Sequence, residues 1–321
     1  MRAPSLFTPP PNMTDAMRSA RRHMLARTGL AWLVMMQVMM LAFPGYLRHG
    51  ARAPDAQQSL EQAIVLMNWL SLILCVPLVL YCAWPVWRGA WRALSRWRVG
   101  MDVPVALGIL AAFVPSVVAT WRDAGEVYFD SVSMFVAFLL TARFLETCAR
   151  QAVSGQARGG SDAELLHAAD RLAFRFVCAQ ILLAVLVGLY WWNVQPDQAV
   201  AVTVALLVMS CPCALSMSVP AALAARHAAS LRAGDAGVPD AAALDRAMRR
   251  VARQNLHGSL AWHLLMAPLA ACGWVQPWVA AITMLLSSLA VAANAWRLSR
   301  LPPGAAAERR PTVRRANAMP G

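Results

Sequence analysis

Lysine is missing from this chain altogether: all 29 basic residues among its 321 are arginine. A phosphate-binding loop of the Walker type, whose lysine reaches the β- and γ-phosphates, is therefore excluded. Charge of any kind is scarce, at 14% of residues against 59% hydrophobic, which excludes an ordinary soluble domain and leaves a polytopic membrane protein. Cysteine is infrequent and odd in number. The seven, at positions 75, 82, 148, 178, 211, 213 and 272, fall mostly within apolar runs, so a secreted disulfide framework is not expected. Nor does the sequence open on a charged n-region, an apolar h-region and a small-residue cleavage site, so the first apolar span is expected to be retained. The net charge of +13 would suit a nucleic-acid binder, but the arginines lie between apolar runs rather than on a polar face. No nucleic-acid partner is expected, and membrane topology accounts for the charge.

What is present is a series of apolar segments suited to crossing a bilayer as helices. Residues 1–27 form a Pro-rich then Arg-rich cytoplasmic tail with no Cys-x-x-Cys. Spans are predicted at 29–47, 61–87, 103–121, 127–147, 172–192, 200–225, 256–272 and 275–297. The first carries a methionine face (Met35, Met36, Met39, Met40), open to packing or to metal contact. The second runs on into residues 88–98, where aromatic and basic residues alternate. That segment reads equally as an aromatic belt with flanking arginines and as an interfacial docking platform. Polar cytoplasmic connections are expected at 151–169 and 226–255, the second broken by Gly234, Gly237 and Pro239. Residues 301–321 have the composition of a disordered tail. Placing both termini and alternate loops in the cytoplasm puts 26 arginines inside and leaves only Arg48, Arg52 and Arg122 outside, a bias that fits eight spans with both ends cytoplasmic. The expected fold is all-α, an eight-helix membrane domain over residues 28–300 with membrane lipid around it.

Within the sixth span, Met209-Ser210-Cys211-Pro212-Cys213-Ala214-Leu215 sets reactive side chains in an otherwise apolar run. Pro212 lacks an N–H and pushes away the carbonyl of Val208, so the helix must kink or unwind there. On a straight helix, residues two apart point about 200° from each other; a break lets both sulfurs approach one point. Soft thiolates with thioethers nearby suit Cu(I). The residues alone leave a second reading open, that of buried small hydrophobes beside a common membrane-helix kink.

Several further motifs occur in order. Met101-Asp102-Val103-Pro104-Val105-Ala106-Leu107-Gly108, then Val127-Tyr128-Phe129-Asp130-Ser131-Val132-Ser133-Met134-Phe135-Val136, then Arg143-Phe144-Leu145-Glu146 precede Cys211-Pro212-Cys213-Ala214-Leu215-Ser216. Pro268-Leu269-Ala270-Ala271, Met284-Leu285-Leu286-Ser287-Ser288 and Asn294-Ala295-Trp296-Arg297-Leu298 follow it. Together they resemble the membrane domain of heavy-metal P-type ATPases, most of all the copper pump that serves maturation of cbb3-type cytochrome c oxidase. The resemblance implies an entry site at Met101, Glu146 and Asp170. It implies deep copper(I) binding by Cys211 and Cys213 with Met284 and Ser287 or Ser288, a helix break at Pro212, and an acidic exit group at Asp130. It also implies a bacterial inner-membrane location. Each residue has a plainer alternative: Asp130 can solvate a helix end, Glu146 can pair with Arg143 or Arg150, and Met284 can be packing. Acidic groups at membrane depth are nevertheless functional candidates, because leaving them there is costly.

Two departures follow. Where copper pumps usually carry Tyr-Asn this chain reads Trp262-His263, and His263, the one histidine well inside a predicted span, is either a satisfied polar residue or a further metal ligand. The pumps also insert actuator, phosphorylation and nucleotide-binding domains where only residues 151–169 and 226–255 stand here. Their phosphorylated Asp-Lys-Thr-Gly cannot occur without lysine, the loops are too short to hold a phosphoryl-transfer site, and the usual N-terminal metal-binding domain has no counterpart. ATP and magnesium are not expected to bind, and no catalytic residue is assigned. The expected functions are a copper(I) conduit, driven by a separate ATPase or by none, or a non-transporting copper-binding partner of a full-length copper ATPase or copper chaperone. A decayed gene product is the third possibility. A haem protein would need histidines facing each other at matching depth, and His263 stands alone.

Overall fold

The structure is a computed structural model that describes residues 14–46, 54–95, 102–153, 160–233 and 241–299. Met101, the tail 301–321, residues 1–13 and the centres of both polar connections lie outside the described residues. Every regular element within them is helical. Ten helices follow in order: α1 (Asp15–Tyr46), α2 (Pro54–Pro77), α3 (Trp84–Leu94), α4 (Asp102–Arg122), α5 (Phe129–Val153), α6 (Gly160–Val194), α7 (Pro196–Met209), α8 (Cys213–Ala233), α9 (Ala241–Ala271) and α10 (Pro277–Ser299).

Local chemistry sets the ends. Thr14 caps α1, its Oγ1 accepting from the Met17 amide at 3.3 Å, with Asp15 in the first turn against the helix dipole. Pro77 ends α2 in a wider π-turn over Leu78–Cys82, and the Trp87 indole N–H donates to the Val79 carbonyl at 2.7 Å, satisfying one of the groups released there. The second span therefore stops at Cys82 rather than Trp87. The interfacial segment is a helix of its own, α3, which turns Val86 and Ala90 inward and leaves Trp84, Trp91 and Leu94 exposed. Between α9 and α10, Gly273 has φ 78°; its amide and that of Trp274 bond back to Ala270 and Leu269 at 3.0 and 3.1 Å, a left-handed C-terminal cap.

The centre of the bundle is the segment Pro196–Ser230, broken into α7 and α8 and 83% buried over its most apolar window. Around it stand α4, α5, α6, α9 and α10, with α1 and α2 outside α5. The main apolar cluster draws on all ten helices, and includes Val105, Phe135, Leu206, Cys211, Cys213 and Met284. Among the described residues, seven helical segments are long and apolar enough to cross a membrane, one fewer than the eight expected. The shortfall is α9. Its first half carries Arg246, Arg249, Arg250 and Arg253, and its second half turns Asn255, Ser259 and His263 into the protein while Leu264 and Leu265 are 62% and 61% exposed. A helix with its polar groups inward reads as weakly apolar to any average over its residues, which is why α9 is not among the seven.

The polar connections are shorter than their composition suggested. α5 runs to Val153 and α6 begins at Gly160; α8 runs to Ala233 and α9 begins at Ala241.

Candidate metal site at the helix break

Between α7 and α8 the backbone leaves the helix at Ser210 and rejoins it at Cys213. Pro212 cannot donate to the Val208 carbonyl, which instead accepts from the Cys211 amide at 3.3 Å. On either side of the break the Ser210 hydroxyl donates to the Leu207 carbonyl at 2.6 Å and the Ser216 hydroxyl to the Cys213 carbonyl at 3.1 Å, so both buried hydroxyls are satisfied within their own turn. The result brings the two sulfurs together. Cys211 and Cys213 are joined as a disulfide with Cα atoms 5.5 Å apart, and both are buried. A disulfide offers no thiolate, so a cation would be held only after two-electron reduction to the dithiol.

Met284 is buried in the same apolar cluster as both cysteines. Ser287 and Ser288 are buried one turn further along α10, and the Ser288 hydroxyl donates to the Met284 carbonyl at 3.1 Å. His263 is 2% exposed, lies stacked on Phe176 at 5.0 Å between ring centroids, and neither ring nitrogen has a hydrogen-bond partner. Among the described residues, no three His, Cys, Asp or Glu side chains form a metal-holding group; a site here would draw on sulfur from Met284.

The other candidates sit on other helices. Asp130 is buried in the first turn of α5, where its Oδ1 accepts from the Ser131 amide at 2.6 Å and the Ser131 hydroxyl at 3.2 Å. The Cys75 thiol donates to the adjacent Phe129 carbonyl at 3.7 Å. Glu146 is half-buried on α5 and Asp170 is exposed on α6. Arg143, considered above as a partner for Glu146, pairs with Asp102 on α4. The Asp102 carboxylate occupies the space that a side chain at position 89 would need, so Gly89 permits the contact between α3 and α4.

No family model matches the chain. Curated relatives match it over part of its length: a nitrogen fixation protein FixI of Bradyrhizobium diazoefficiens is 36% identical over 125 residues, 39% of this chain and 16% of the relative. A silver-exporting P-type ATPase of Salmonella typhimurium is 33% identical over 100 residues, 27% of this chain and 12% of the relative. A copper-exporting P-type ATPase of Bacillus subtilis is 30% identical over 93 residues, again 27% and 12%. Its relatives include metal-transporting P-type ATPases. The chain spans less than a fifth of the length of each of these three.

Two features of the bundle escaped the sequence. Arg226 on α8 donates to Asp162 on α6 at 2.7 Å and to Asp245 on α9 at 2.6 Å, and Arg249 also donates to Asp245, at 3.0 Å. Burial alone would raise the Asp245 carboxyl, but hydrogen bonds from Arg249 and Arg226 hold it below its ordinary value of 3.8. The i, i+4 spacing of Asp245 and Arg249 was visible; the long-range partners were not. Second, Asn294 donates to Asn255 Oδ1 at 2.8 Å and Asn255 donates to the Val291 carbonyl at 3.3 Å, joining α9 to α10. The recurrence Asn255, Ser259, His263 at four-residue spacing is the signal that could have marked this inward polar stripe.

Proposed function

We propose that this chain binds Cu(I) at the reduced Cys211 and Cys213, with Met284 as a thioether donor and Ser287 or Ser288 at its edge. In this reading it conducts copper across a bacterial inner membrane as a shortened P-type ATPase-like domain. The observation that carries the reading is the convergence of two buried sulfurs at a proline break, in the same apolar cluster as Met284; thiolates with a thioether donor suit a soft monovalent cation. The metal-exporting relatives support the same cargo. His263, with two unpartnered ring nitrogens, is the further donor we assign. Entry past Met101, Glu146 and Asp170 and exit past Asp130 complete the path. ATP hydrolysis by this chain is not part of the proposal: phosphoryl transfer needs a nucleophile, a charge clamp and magnesium ligands held in line. The short gaps between α5 and α6 and between α8 and α9 support that part of the reading. A link to cbb3-type oxidase assembly, through a copper chaperone or a full-length copper ATPase, belongs to the same reading.

A second reading keeps the site and drops the flux. Transport requires elements around the site to rock against one another, whereas Arg226 ties α6, α8 and α9 together through two carboxylates. A copper-holding partner of a full-length pump would need no such motion. Titration of Cu(I) into the reduced protein in nanodiscs tests the site, with one ion per chain expected and none in C211A/C213A; unchanged binding in that variant refutes both readings. Copper flux into proteoliposomes separates them, and vanadate-sensitive ATP turnover by this chain alone would refute the proposed absence of hydrolysis.

A further inference from the structure

The exposed face of α9 carries a feature that copper handling does not use. Arg246, Arg249, Arg250, Arg253, Gln254 and His257 line an open, shallow cavity of about 540 Å³ along this one helix. At 100° per residue, positions 246, 250, 253 and 257 fall within an arc of about 60°, and all four side chains are exposed. Leu264 lies on the same arc, about 10 Å further along the axis than His257. It is 62% exposed, with Leu265 beside it at 61%. One continuous stripe thus passes from guanidinium groups to bare leucine within about a third of a bilayer core's thickness. A water-facing basic patch needs no apolar continuation, and a lipid-facing apolar strip needs no cavity lined with arginines.

We propose that this cavity is a binding site for the phosphate of an anionic phospholipid, whose acyl chains run down the leucine strip. Arginine suits the role because its planar donor fork matches phosphate oxygens, and basic pockets at the membrane surface of helical bundles take such headgroups. Arg250 and Arg253 are assigned the phosphate. The N-terminal part of α9 is also the arm that the Arg226 cluster fastens to α6 and α8, so a lipid seated there would hold that arm against the membrane. The site requires only that the bundle lies in a bilayer and stands whether or not the chain carries copper.

The test uses the intact chain in phosphatidylcholine bilayers doped with spin-labelled phosphatidylglycerol or spin-labelled phosphatidylcholine, reading the motionally restricted fraction of each. A juxtamembrane arginine favours anionic lipid on the order of fivefold, so the wild type is expected to prefer phosphatidylglycerol by roughly that factor at this site, read as an excess in the restricted fraction averaged over all boundary lipid. R250Q/R253Q should lose most of the preference, while R250K/R253K should keep part of it. R171Q/R175Q, with the same charge removed from exposed positions on α6, should keep it. Undiminished preference in R250Q/R253Q would overturn the site. Equal loss in R171Q/R175Q would reduce it to diffuse surface charge and overturn it as well. Inorganic phosphate added at constant ionic strength should leave the preference intact; its abolition would assign the cavity to a soluble phosphate and refute the lipid.

Discussion

Replacing Arg226 by Met tests whether the bundle is fastened by charge at the basic end of its helices. The Asp162 side chain is 2% exposed and the Arg226 side chain 20%, so the substitution strands a carboxylate where water cannot reach it. Breaking one side of such a buried pair costs about 3–5 kcal/mol. The other arm differs: the Asp245 side chain is 34% exposed, and D245N should cost about 1 kcal/mol or less. The contrast between the two variants is the diagnostic, and D162N/R226M, which removes both buried charges, should recover much of the loss. Reversible unfolding in mixed micelles, followed by tryptophan fluorescence, reads all three. Acid should act through Asp245 in a defined direction. Because its carboxyl is held below 3.8 in the folded protein, its contribution is fully present above that value and fades as pH falls through the lower folded value. D245N should flatten that acid limb. Equal, small effects of R226M and D245N would refute the account, because they would mean that Asp162 is solvated in the working protein.

Two further outcomes bear on the site. P212A restores an N–H at the break and permits a continuous helix with the sulfurs on opposite sides; Cu(I) binding should be lost although both thiols remain, and retained binding would mean that packing around α7 and α8, not proline, sets the break. H263L should weaken Cu(I) by about tenfold or more, the range seen for lost metal-supporting contacts, without changing the stoichiometry; an unchanged affinity would assign the ring to packing on Phe176.

The membrane character, the helical class and the position of the break were legible in the residues. An apolar run has one way to satisfy its backbone in lipid, and Pro212 has no N–H to give wherever it sits. These are local constraints, so a one-dimensional reading reaches them. Tertiary structure decided how the buried polar groups are spent. Asn255, Ser259 and His263 depressed the apolar average of α9 although they face inward, and only the neighbours α6 and α10 reveal Phe176 and Asn294 as their company. Arg226 looked like one of many topology arginines until α6 and α9 brought it two carboxylates. Spacing along a chain fixes which face a side chain takes, but the identity of what meets that face comes from residues dozens of positions away, and no local rule contains them.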